Sequence, residues 1–227
     1  MAKNQDERKK GISGTGDAIA AFIENHRKKI IAAAVTVVVV VLAAAAGAGL
    51  REWFARRGIK TVEALAERYD AVRFTISDPA EKEEVDRLLA DLAAAGKSSG
   101  YAGARAWHLA ASIHADRTNW EEAETAWNTA AKKAGKTYLA PAALFNAAAA
   151  AEERGRMDAA IENYTQASLR ADFPQAPRAL FSAGRLEEGR GNSTEAIETY
   201  RQVVEKWPAT DWAKLAQSRI ITLSGIN

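Results

Sequence analysis

The sequence predicts an all-α protein in which a single transmembrane helix is followed by a solenoid of helical hairpins. Three observations carry that expectation. Residues 30–50, IIAAAVTVVVVVLAAAAGAGL, hold twenty-one positions without a charge, and Thr36 is their only polar side chain. Beyond them, apolar residues recur every three or four positions, the spacing of amphipathic helices. Within that part, an alanine followed four residues later by an aromatic recurs at intervals of 37 and 36 residues.

The apolar stretch divides the chain. At the rise of an α-helix its length is about 30 Å, the hydrocarbon thickness of a bilayer. His26, Arg27, Lys28 and Lys29 stop it on one side, and Arg51, Glu52, Arg56 and Arg57 on the other, with Trp53 and Phe54 suited to an interfacial aromatic belt. A buried helix of a soluble core is the alternative, although such helices are seldom apolar nearly all round. Residues 1–29 carry seven Lys/Arg against four acidic residues. A short basic tail before the span and a folded domain after it favour a cytoplasmic N-terminus and an exported C-terminal domain. Small residues at Ala44, Ala46 and Ala48 leave open a cleaved signal peptide, but a leader of 29 residues and a span-length core favour an uncleaved anchor.

Composition excludes several functions. The formal net charge of +2 over 227 residues argues against a nucleic-acid binder. The chain has no cysteine, so a disulfide framework, a thiolate metal site and a lipidated cysteine anchor are all ruled out.

In order, residues 1–16 are polar and Gly-bearing and read as a disordered linker. Asp17 is a candidate helix cap, and Ala18, Ile19, Phe22 and Ile23 form an apolar stripe leading into the span. After the span, Ile59, Val62, Leu65, Tyr69, Val72 and Ile76 predict one amphipathic helix, and Val85, Leu88, Leu89 and Leu92 a second. Ser77-Asp78-Pro79 separates the two, and Gly96-Lys97-Ser98-Ser99-Gly100 ends the second. The Gly-Lys-Ser is no phosphate loop, since Asp91 stands where the leading glycine is required and a helix precedes it. Residues 51–100 therefore read as a helical linker or degenerate hairpin.

Residues 101–227 hold the repeats and a closing helix. The anchors Ala123, Ala160 and Ala196 are each followed by an aromatic, Trp127, Tyr164 and Tyr200, and then by Ala130, Ala167 and Val203. Twelve residues before each anchor stands a small residue, Ala111, Ala148 or Gly184, where two helices of a hairpin must approach closely. Gly155 and Gly191 open the intervening turns, and Phe173-Pro174 and Trp207-Pro208 end the last two units. This pattern resembles the tetratricopeptide repeat, a helix–turn–helix unit of about 34 residues. The first unit departs from it, with Asp116-Arg117-Thr118-Asn119 as a turn without glycine and no closing proline.

The layout as a whole resembles a second family. A basic tail ending Phe22-Ile23-Glu24-Asn25-His26-Arg27-Lys28, one span, Arg51-Glu52-Trp53-Phe54 and then such repeats is similar to the ancillary SecYEG translocon subunits. The resemblance implies a bacterial inner-membrane protein with a periplasmic interaction domain, whose partners are the SecYEG-type translocon and periplasmic folding factors. A structural scaffold for an envelope or division complex is the alternative.

No chemistry announces itself. His108 and His114 are six residues apart and do not share a helix face as a chelating pair would. There is no HExxH, GxSxG or paired-carboxylate pattern, so the sequence predicts no catalytic residue, metal or cofactor. In Asn192-Ser193-Thr194 a turn and helix cap is preferred over a glycosylation site. A binding groove is the better candidate, because the first helix of each hairpin in such a solenoid lines the concave face. With the small residues buried, the groove side holds Arg105, His108 and Ser112 in unit one, and Phe145, Ala149 and Glu152 in unit two. Unit three adds Arg178, Phe181, Arg185 and Glu188. Arginine and aromatic side chains are the usual anchors of protein interfaces. The competing reading packs Phe145 and Phe181 between repeats and leaves the arginines as wetted surface. Trp107, Trp120, Trp127, Tyr164 and Tyr200 are assigned to the core.

Overall fold

A computed structural model describes residues 3–170 and 172–225, with side chains described from Ala21 onward. All regular structure among the described residues is helical. The chain divides into two compact units, Met1–Phe54 and Ala55–Asn227.

The first unit is the leading part of helix α1, which runs Lys3–Val72. The stretch read as linker before Asp17 is helical from Lys3, and Asp17 lies inside the helix rather than capping it. Gln5, Glu7, Arg8, Lys9 and Lys10 are good helix formers, and extending an existing helix avoids the cost of nucleating one. Every residue of 30–50 is exposed, with Val38 at 56% and Leu42 at 63%. Thr36 Oγ1 donates to Ala32 O at 2.9 Å, so the one polar side chain of this stretch is satisfied inside its own helix. This segment is long and apolar enough to cross a membrane.

The second unit begins with the rest of α1. A single 3-10 turn (Pro79–Glu81) and α2 (Lys82–Ala95) follow, then α3 (Gly100–Asp116), α4 (Trp120–Ala134), α5 (Leu139–Glu153) and α6 (Met157–Ser168). The unit ends with α7 (Ala176–Gly189), α8 (Ser193–Lys206) and α9 (Asp211–Ser224). From α2 onward each helix packs on the next, and the first helices of neighbouring hairpins meet as α3 with α5 and α7 with α9. That order is a solenoid of antiparallel hairpins.

Its N-terminal hairpin is built from α1 and α2. Val62, Leu65, Val72 and Ile76 close on Val85, Leu88 and Leu92, and this core continues into Ala106, Leu109 and Ile113 of α3. The helix stops at Val72, four residues short of the last apolar position, yet Ile76 stays buried on the turn that follows. Asp78 then accepts from Ala80 N at 2.9 Å, and Pro79 starts the next turn. Arg68 ties the hairpin outside, bonding Glu84 at 2.8 Å and Asp91 at 2.6 Å.

In each later hairpin an aromatic ring of the second helix lies over the small residue of the first. Trp127 shares a core with Ala111, Tyr164 with Ala148, and Tyr200 closes on Gly184. A Cβ on Gly184 would stand 2.9 Å from Cε1 of Tyr200. The turns need a left-handed residue, and Gly155 and Gly191 supply it at φ +70° and +82°. Thr118 takes the corresponding place in unit one at φ +59°, a conformation that a β-branched residue adopts at a cost. Before α8, Asn192 occupies the cap position, but its amide donates to Glu187 Oε2 at 2.6 Å instead of its side chain capping the helix.

Two stability outcomes follow from these positions. Thr118→Gly raises the urea midpoint of the full-length protein, by about 1 kcal/mol of stability, since it releases left-handed strain at an exposed turn. Gly184→Ala lowers stability by roughly 1–3 kcal/mol, because Tyr200 must shift in a closed core. An unchanged midpoint for either variant contradicts this account of the turns or of the hairpin contact.

Candidate functional site

The predicted residues stand on the first helices α3, α5 and α7 at the spacing of a helical stripe, and α9 follows as the next first helix. The structure brings the residues of units two and three together and sets those of unit one apart. Phe145 packs edge-on to Tyr164, with centroids 5.2 Å apart, and lies 6.2 Å from Phe173. Phe181 lies 5.2 Å from Tyr200 and 5.3 Å from Trp212. Both phenylalanines are half-buried, packing between repeats while keeping an edge on the face. Arg178 is exposed, its guanidinium carbon 5.2 Å from the Phe145 centroid and 5.9 Å from that of Trp212. Phe145, Arg178, Trp212 and Phe181 thus form one patch of rings around a cation.

Beside the patch runs a polar ladder. Arg185 Nη2 donates to both oxygens of Glu152, at 2.7 and 2.8 Å, and the Tyr164 hydroxyl points at the same carboxylate at 3.5 Å. One repeat on, Arg219 of α9 pairs with Glu188, and the Tyr200 hydroxyl donates to Glu188 at 2.9 Å. Burial pushes both tyrosine hydroxyls up to about 12, so they remain donors at any ordinary pH. Glu152, Arg185 and Glu188 therefore bond to the protein itself and fix the shape of the face.

Unit one is different. His108 is largely enclosed, its ring 6.4 Å from that of Trp127, and burial reinforced by the charge of Arg105 pushes it down to about 4. His108 Nδ1 and Arg105 Nε are buried without a hydrogen-bond partner among the described residues. His108 is thus a neutral wall residue. The core assignment holds for Trp127, Tyr164 and Tyr200, which are buried, while Trp107 and Trp120 are half-buried.

Three participants escaped the sequence reading. Trp212 and Arg219 lie on α9, which carries no repeat signature, although each follows the third unit at about one repeat from Arg178 and Arg185. Glu124 is the third. It is 3% exposed on α4, and Arg154 and Arg156 clamp it at 2.8 and 2.6 Å from the next turn. No group of three or more His, Asp or Glu side chains suited to a metal occurs among the described residues.

Residues 108–169 and 160–210 match the tetratricopeptide repeat family. The repeat match spans fewer than half of the chain's residues, 108–210, and within it the chain is similar to tetratricopeptide repeats. Over 142 residues it is 33% identical to a TPR repeat-containing protein of Treponema pallidum (strain Nichols), a match covering 61% of this chain and 59% of that protein. A crystal structure of nearly identical TPR-like repeats from Podosopora anserina is similar in fold, with a TM-score of 0.52 at 16% identity. It covers 72% of this chain and 87% of its own. A crystal structure of a single-residue variant of those repeats aligns with a TM-score of 0.52 at 15% identity, over 73% of this chain and 87% of its own. Such repeats are protein–protein interaction modules, and stacking them builds extended binding surfaces.

The enclosed His108 makes stability fall in mild acid. The unfolded chain binds a proton near 6.5, the folded site only near 4, so stability is present above the first value and is lost as pH drops toward the second. Urea titrations at about pH 7 and about pH 5 are expected to differ by roughly 2 kcal/mol. His108→Leu removes much of that slope, leaving the smaller share of His114, whose burial also lowers it. An unaltered slope in the variant contradicts the burial of His108.

Proposed function

We propose that this protein is a membrane-anchored interaction module whose first-helix face binds other polypeptides, working as an accessory of a protein-export translocon. The observation that carries the binding role is Arg178, exposed and held between Phe145 and Trp212. A cation ordered by rings gives planar hydrogen bonding and buried area together, with little entropy left to lose on binding. The anchor reading rests on residues 30–50, charge-free and exposed throughout, with Thr36 satisfied internally. The export reading rests on the layout of basic tail, span, juxtamembrane Trp53-Phe54 and repeats. It has residues 1–29 in the cytoplasm, the repeats outside the inner membrane, and the channel and periplasmic folding factors as partners. The fold is commonly a non-catalytic scaffold, and no enzyme activity is proposed.

One observation favours a second reading. The Glu152–Arg185 and Glu188–Arg219 pairs make the face stiff, which suits one fixed partner in an envelope or division scaffold better than varied emerging chains.

Purification of the full-length protein from its own membranes in mild detergent, with proteomics of what accompanies it, separates these readings. The export reading expects translocon subunits and a spread of exported chains, with the exported chains lost from an Arg178→Glu variant. Recovery of one or two envelope proteins alone rejects it in favour of the scaffold. Replacing Val39 and Val40 together by aspartate costs several kcal/mol in a bilayer and is expected to release the protein from membranes. Retention of that variant in the membrane fraction contradicts the anchor.

A further inference from the structure

The ladder that seals units two and three has no counterpart in unit one. Glu152 and Glu188 stand eight residues before the anchors Ala160 and Ala196, and the same place before Ala123 is Ala115. Arg185 directly follows Gly184, and the residue following Ala148 is Ala149. Tyr164 and Tyr200 are replaced by Trp127. A glutamate and an arginine are thus both truncated to methyl groups at one spot, and the structure has a cavity of about 300 Å³ there, lined by Ala115, Ala149, Trp120 and Trp127.

Its polar wall is unbalanced. Trp127 is 7% exposed and its indole Nε1 has no hydrogen-bond partner among the described residues. Asp116 and Glu153 also line the cavity. Among the described residues the Asp116 carboxylate accepts only from the Tyr69 hydroxyl, at 3.0 Å, and Glu153 has no ion pair. The adjacent basic residues are engaged elsewhere, Arg117 with Asp86 at 2.9 Å and Arg154 with Glu121 and Glu124. Two carboxylates without a cation beside two indoles form the chemistry that selects a positive charge.

We propose that this cavity between α3, α4 and α5 is a specificity pocket for a basic side chain of a partner polypeptide. The entering arginine or lysine replaces the guanidinium lost at Ala149, its charge meeting Asp116 and Glu153 and its stem lying on Trp120 and Trp127. A main-chain carbonyl of the same segment is the acceptor for Trp127 Nε1. This proposal rests on the reading that the first-helix face binds polypeptide.

The test uses the full-length protein in detergent and benzophenone-bearing peptides, acetyl-Ala-Ala-Xaa-Ala-Ala-amide, with Xaa as Arg, Lys, Gln or Glu. Labelled residues are mapped by mass spectrometry. Arg and Lys peptides are expected to label α3 and α5 about tenfold more than Glu and Gln peptides. That excess disappears in Glu153→Lys, which reverses the charge, and in Ala149→Arg, which refills the cavity as Arg185 does in the next unit. Equal labelling by all four peptides, preference for Gln or Glu, or an excess that survives both variants overturns the pocket while leaving the face as a polypeptide site. Absence of labelling on the first-helix face with every peptide overturns both.

Discussion

Each hairpin of the repeat domain closes where a ring on its second helix lies against a residue on its first that must be small. Gly184 beneath Tyr200 is the tightest case, with no room for a methyl group unless the ring moves. Ala148 under Tyr164 and Ala111 beside Trp127 share their cores in the same way. The approach buries the ring and draws the two helices close. It also fixes which side of the first helix is left over, and that side is the face proposed to bind polypeptide. Exposed Arg178, the half-buried Phe145 and Phe181, and the ladder of carboxylates all follow from where the small residue sits.

The tyrosine hydroxyls turn this packing rule into a polar one. A buried ring with a hydroxyl needs an acceptor, which Glu152 and Glu188 supply, and each carboxylate then needs a cation, which the next first helix supplies as Arg185 or Arg219. The order is self-consistent from unit two to the closing helix. Where the ring is an indole the sequence of needs breaks: Trp127 has a donor and no hydroxyl oxygen, and Ala115 and Ala149 stand where the ion pair would be. Unit one is also irregular in its turn at Thr118 and its enclosed His108, and the cavity opens where it meets α5.

Those relations explain what a reader of the sequence sees. The repeat register was legible because the small residue, the aromatic and the turn glycine are forced by geometry and recur at fixed intervals. The apolar stretch at 30–50 was legible from composition alone. Helical period assigned Arg105, His108, Phe145, Glu152, Arg178, Phe181, Arg185 and Glu188 to the first helices, but it did not give their pairing. Glu152 and Arg185 lie 33 residues apart, and nothing in a spacing tells that two charges bond each other rather than a partner. Trp212 and Arg219 were missed because α9 carries no repeat signature, although they sit where one more unit would have put them. The helix over the tail was not legible because Gly11, Gly14 and Gly16 stand among its good helix formers.

The central claim is that polypeptide partners meet the first-helix face. Site-specific photocrosslinking in native membranes tests it most directly, with a photoreactive residue at Arg178 in one strain and at Glu198, exposed on the second helix α8, in another. The account predicts protein adducts from position 178 and few from position 198. Adducts of equal yield from both, or from 198 alone, contradict it.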